Sequence, residues 1–81
     1  SVHFLRVSVI IGLGYDAPSN MQPLLKKMRV TIYGFLAEKT PENFSDDTQK
    51  RQIKRSLVHL LNKVLQKDII RNVDFQSISL V

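Results

Sequence analysis

Six apolar residues in the second half of the chain constrain its fold most. Ile53, Leu57, Leu60, Leu61, Val64 and Leu65 sit at +4, +7, +8, +11 and +12 from the first of them. That spacing places all six on one side of a 3.6-residue helix. The other side carries Lys50, Arg51, Lys54, Arg55, Lys63 and Lys67. A helix so divided is stable only when its stripe meets another apolar surface, because tertiary burial supplies most of a helix's stability in water. The rest of the chain must therefore provide that surface.

The preceding segment offers a second helix. Leu24, Leu25, Met28, Ile32, Phe35 and Leu36 recur at helical spacing. The turn Asp16-Ala17-Pro18-Ser19-Asn20 comes before them, with Ser19 or Asn20 available as N-cap and Pro23 tolerated in the first turn. Gly34 interrupts the pattern at a cost of about 1 kcal/mol against alanine, which suggests a tight helix contact. Thr40 followed by Pro41 predicts a single helical turn anchored by Phe44. Ser45 is then the expected cap of the second helix, with Asp46 and Asp47 near its positive end and Asp68 as its stop.

Period two replaces the helical period at both ends. From Val2 to Tyr15 the odd positions His3, Leu5, Val7, Val9, Ile11, Leu13 and Tyr15 are mostly apolar, and they predict a strand whose odd side meets the core. On the even side, Gly12 and Gly14 suit close approach of another backbone, while Phe4 and Ile10 suggest that this side too is partly covered. Ile69 to Val81 reads as a second strand whose alternation changes phase between Val73/Phe75 and Ile78/Leu80. A bulge near Gln76 or Ser77 reconciles the two halves.

The order strand, helix, turn, helix, strand predicts an α+β fold, a β-α-α-β core in which a small antiparallel sheet packs on two long helices. Residues 1–81 are expected to form one domain, since a chain this short supports a single core. Two strands are marginal alone in water, so a third strand is expected from another segment of a longer parent or from a second subunit. The apolar start at Val2 reads as a trimmed fragment, with whatever targeted or anchored the parent lying outside it. The expected core comprises Leu5, Val7, Val9, Met28, Ile32, Phe35, Phe44, Ile53, Leu57, Leu61 and Val64.

No pattern of residues suggests catalysis. The chain has no cysteine, which removes disulfides, thiolate metal sites and cysteine nucleophiles. His3 and His59 lie on different elements without a second ligand nearby in sequence, and His59 reads as a half-buried structural histidine. Glu38, Glu42, Asp46 and Asp47 cluster at the helix connector, but their spacing is not that of a calcium loop, and capping explains them. Gly12-Leu13-Gly14 lacks the third glycine of a dinucleotide fingerprint and the Gly-Lys-Ser/Thr end of a phosphate loop. The expectation is a non-enzyme with no catalytic, cofactor-binding or metal residues, and no cofactor.

Charge leaves two readings of function. The net charge is +5, and the segment from Asp47 to Lys67 alone has six basic residues and one acid. Such a stripe could hold nucleic-acid phosphates. It lacks interleaved aromatics, a GXXG loop and an RNP-like aromatic strand. A solvated or protein-contacting face, with Lys50, Arg51, Lys54 and Arg55 as the candidate contacts, is therefore the favoured reading, and a small basic nucleic-acid-binding module is the alternative.

Three stretches carry a family resemblance. Phe4-Leu5-Arg6-Val7-Ser8-Val9-Ile10-Ile11 is similar to a Tyr-Leu-Lys-Val-Ser strand. Phe35-Leu36-Ala37-Glu38-Lys39-Thr40-Pro41-Glu42-Asn43-Phe44 is similar to a helix end followed by Ser-Lys-Thr and a short turn closing on leucine. Leu61-Asn62-Lys63-Val64-Leu65 and Val73-Asp74-Phe75 are similar to Leu-Asn-x-Val-Leu and a terminal Val-x-Phe strand. In this order they resemble the C-terminal periplasmic domain of the FliL family, proteins associated with the bacterial flagellar basal body. The family's usual upstream strand ending in Asn-Leu is missing, and Ser79-Leu80-Val81 departs from its usual ending. The resemblance implies a fold like the stomatin/prohibitin (SPFH) domain, carried by a single-pass inner-membrane protein of the motility apparatus. It also implies a homo-oligomeric ring in the periplasm that surrounds stator units of the motor, with other basal-body proteins as partners and no nucleic acid.

Overall fold

The computed structural model describes residues 5–80, with the side chains of Leu5, Pro41 and residues 77–80 outside that description. Strand β1 (Leu5–Leu13) leads into helix α1 (Gln22–Ala37), a one-turn 3-10 helix (Pro41–Phe44), helix α2 (Asp47–Leu65) and strand β2 (Ile70–Leu80). This is the expected α+β order, with the two strands antiparallel in one two-stranded sheet. The expected positions of Val2, His3, Phe4 and Val81 lie outside the described residues. Tyr15 does not continue the strand. Gly14 N–H donates to the Ile69 carbonyl at 2.8 Å, and Ala17 N–H donates back to the Gly14 carbonyl at 3.1 Å, so the chain turns there and Tyr15 is fully exposed.

The phase change in β2 is a register shift. Val9 lies opposite Phe75 and Ser8 opposite Ser77, which leaves Gln76 as the extra residue. A second shift leaves Arg71 extra, between Gly12 opposite Asn72 and Leu13 opposite Ile70. Together the shifts keep Val9, Ile11 and Leu13 opposite Phe75, Val73 and Ile70.

The core lies between α2 and β2. Leu57 and Leu61 are completely buried, and Leu65, Ile69, Ile70, Val73 and Met28 close around them. Phe44 and Ile53 are buried as well, and the Phe44 ring meets Phe75 edge-to-face at 5.4 Å. The single turn thus holds Phe44 where the connector would otherwise be loose. Its backbone is fixed by Thr40 N–H donating to Asn43 Oδ1 at 2.8 Å and Asn43 N–H donating to the Thr40 carbonyl at 3.0 Å.

Several local expectations are corrected. Asp46, not Ser45, caps α2, because its carboxylate accepts from Thr48 N–H at 3.1 Å while Ser45 closes the preceding turn. Met21 occupies the cap position of α1 without a side-chain bond; Asn20 instead accepts from Gln22 N–H at 3.1 Å. Helix α2 ends at Leu65 rather than at Asp68. Gln66 turns left-handed (φ 56°), and Lys67 N–H reaches back to the Asn62 carbonyl at 3.2 Å. Gly34 has no tight contact, since nothing approaches within 4 Å of where its Cβ would stand. Gly12 and Gly14 are approached by the side chains of Asn72 and Arg71 rather than by a backbone. His59 is exposed because it falls just off the α2 stripe.

Spatially the elements follow the order β1, β2, α2, α1: β1 pairs with β2, α2 packs on β2, and α1 packs on α2. The ends of this series, β1 and α1, face one another without close packing. The molecule is elongated, 42 × 25 × 19 Å. Its accessible surface is 6043 Å². A compact monomer of this mass, 9.3 kDa, is expected to show only about 5,000 Å².

Candidate functional site

The gap between β1 and α1 is an open groove of about 1050 Å³. Its strand wall is Val7, Val9, Ile11 and Leu13, the odd positions that period two assigned to the core. The first three are half-buried, and Leu13 is 43% exposed. Its helix wall is formed by Leu25, Met28, Ile32, Tyr33 and Leu36. Only Met28 among these is buried, and Tyr33 is 80% exposed. The apolar side of β1 therefore reaches the edge of the core but does not close over it. Among the described residues two charged side chains line the groove, Arg29 and Lys39, both cationic. Lys39 Nζ stands 4.6 Å from the centre of the Phe35 ring, and neither cation has a carboxylate within ion-pair distance among the described residues.

The basic face of α2 is a different surface. Arg51 and Arg55 are exposed, while Lys50 and Lys54 are half-buried. Lys54 Nζ lies 2.9 Å from Asp74 Oδ1 on β2. That contact holds the Asp74 carboxyl below its ordinary range, chiefly through the hydrogen bond and charge of Lys54, with Phe75 N–H and the charge of Lys50 adding to it. The strand thus neutralises part of the helix face. Among the described residues the strongly exposed aromatics, Tyr15 and Tyr33, stand on other elements, so those residues give the face no bases-on-rings platform and the geometry adds nothing to the nucleic-acid alternative. Among the described residues no three His, Cys, Asp or Glu side chains come together as a metal site, and no helix is long and apolar enough to cross a membrane.

The sequence matches the family model described as flagellar basal body-associated protein FliL over residues 1–80. The chain belongs to the FliL family. No curated protein and no solved structure matches it. Membership associates the chain with the flagellar basal body and motility, in a structural or accessory rather than enzymatic family.

In this FliL chain the expected core residues divide by element. Phe44, Ile53, Leu57, Leu61 and Met28 are buried; Val7, Val9, Ile32, Phe35 and Val64 are half-buried. The side chain of Leu5 lies outside the described residues. The expected core left out Leu65, Ile69, Ile70 and Val73, although Leu65 belongs to the predicted stripe, and pattern reading missed the role of Asn62. The Asn62 side chain accepts from Ile69 N–H at 3.1 Å and Ile70 N–H at 2.8 Å. Its amide nitrogen donates to the Ile70 carbonyl at 3.0 Å and to Asp68 Oδ1 at 3.2 Å. One side chain thus replaces a neighbouring strand at the start of β2. The available signal was an asparagine one turn before the helix end, a position where it is a poor helix former.

Proposed function

We propose that this FliL-family chain is a non-enzymatic structural component of the flagellar motor, a ring-forming periplasmic domain that associates with stator units and supports torque generation. Residues 1–81 would be one domain of a longer, single-pass inner-membrane protein, with a fold like the stomatin/prohibitin domain. The observation that carries this reading is the family match over residues 1–80. The two-stranded sheet and the open groove are compatible with it, because both are features that another segment of the longer protein or contact with other chains would complete. Lys50, Arg51, Lys54 and Arg55 are the candidate charged contacts, with Arg51 and Arg55 the more accessible pair.

The test is a deletion strain measured in viscous medium. Torque at high load is expected to fall, and a fluorescently tagged protein is expected to gather at basal bodies in a stator-dependent manner. Unchanged high-load torque together with diffuse fluorescence would reject the motor assignment.

A further inference from the structure

We propose that the outward face of α1 pairs with the same face of a second copy, antiparallel across a two-fold axis. The inference rests on the reading of this chain as a protein-contact domain. It adds a contact that closes on itself, distinct from the head-to-tail contacts that build a ring. α1 packs on α2 and buries Met28. Val30, Tyr33, Gly34 and Ala37 recur at helical spacing on another side of α1, and all four are exposed. Val30 is 66% and Tyr33 80% exposed. Tyr33 and Ala37 border the groove, but Val30 and Gly34 are not part of its lining, so the centre of this face lies outside the groove.

Two local features of α1 run against the helix itself. Gly34 sits in mid-helix, where glycine is a poor helix former, and nothing stands within 4 Å of its missing Cβ. Glu38 caps the carbonyl end, where the helix dipole disfavours a carboxylate. Lys27 lies in the second turn, and among the described residues neither Lys27 nor Glu38 has an ion-pair partner.

An antiparallel second copy answers both. A two-fold axis level with position 32 sets Val30 of each helix against Gly34 of the other, so the valine fills the space above the glycine and the backbones come close. It also sets Lys27 beside Ala37 of the other helix, one residue from Glu38. Each Lys27 then meets a carboxylate near the negative end of its partner, and the Tyr33 rings flank the axis. This self-complementarity selects a second copy over other occupants. A parallel copy would set Val30 on Val30 and Lys27 on Lys27. A partner of a single charge sign would meet one of the two charges with its own sign.

Sedimentation equilibrium and NMR of the purified chain test the pairing. One pair of helix faces buries less than the roughly 1,200 Å² of a lasting interface, so the expected dimer is weak, with a dissociation constant on the order of 100 µM. Amide shifts on dilution should map to Lys27–Glu38. Gly34→Leu should abolish dimerisation yet raise the melting temperature of the monomer, because leucine is the better helix former and enters open space there. Lys27→Glu and Glu38→Lys should each weaken the dimer about tenfold at low salt, since each changes two symmetry-related pairs at once. The double variant K27E/E38K should restore it.

A chain that stays monomeric up to about 1 mM, ten times that constant, would overturn the proposal. So would a dimer that survives Gly34→Leu, a double variant no tighter than the single ones, or shifts confined to β1 or α2. None of these outcomes touches the motor assignment, which stands or falls with localisation and torque.

Discussion

At the scale of single residues, the chain depends on a few side chains that serve more than one element. Leu61 is completely buried among Leu57, Leu65, Ile70 and Val73. Leu61→Ala removes buried methyl groups and leaves a cavity, so it is expected to cost about 2–5 kcal/mol. In a domain of ordinary stability, about 5–15 kcal/mol in total, that is a large fraction, and urea denaturation would show it as a lowered midpoint. Asn62 is the less obvious case. Its amide satisfies the N–H groups of Ile69 and Ile70, two residues with almost no exposure. Asn62→Ala would leave those donors buried and unpaired, at an expected cost of about 2–3 kcal/mol. The diagnostic accompaniment is fast hydrogen exchange at Ile69 and Ile70. Loss of stability without faster exchange at those two amides would show that the side chain does not stand in for a strand.

At the scale of elements, periodicity was informative and boundaries were not. The helical stripe of α2 and the alternation of β1 were legible because each repeats many times. The phase change in β2 was legible as well, and the register shift at Gln76 accounts for it. The cap of α2 was misplaced by one residue because Ser45, Asp46 and Asp47 are all competent N-caps, and only the backbone geometry selects Asp46. The core role of Ile69 and Ile70 was hidden because both are buried in succession, which breaks alternation. The ion pair between α2 and β2 gives this scale its prediction. The Asp74 carboxyl titrates below its ordinary value of 3.8 when folded. A depressed carboxylate stabilises the fold above its unfolded pKa and loses that contribution as pH falls through the folded value. Asp74→Asn should therefore flatten the pH dependence of thermal stability below about 3.8 and change little at neutral pH, because solvent reaches Asp74 and screens the pair. An unaltered acid limb in the variant would show that Lys54 and Asp74 do not interact in solution.

At the scale of the whole molecule, the candidate site is what remains when the packing stops. α2 and β2 share the completely buried residues, whereas β1 and α1 leave a groove between them. Protection against native-state hydrogen exchange is expected to follow the same order, greatest in α2 and at the α2-facing start of β2, and least in the last turns of α1. Uniform protection across all four elements would mean that the groove closes in solution. The groove itself could not be read from the sequence. Val7, Val9 and Ile11 announce an apolar side of a strand, and Ile32 and Leu36 announce an apolar side of a helix, but nothing in their spacing says that the two sides stop short of each other. Arg29 and Lys39 likewise look like ordinary solvent-facing cations until both appear on the lining of that gap.

The sequence by itself determined the element order, the antiparallel sense of the strands, the helix stripe and the family, because each is written in local repetition or in ordered short motifs. Only the tertiary structure decided where the core ends. Burial depends on how far apart two apolar faces are held, and that distance follows from contacts distant in sequence: Asn62 at the start of β2, Phe44 against Phe75, and the packing of α1 on α2 rather than on β1.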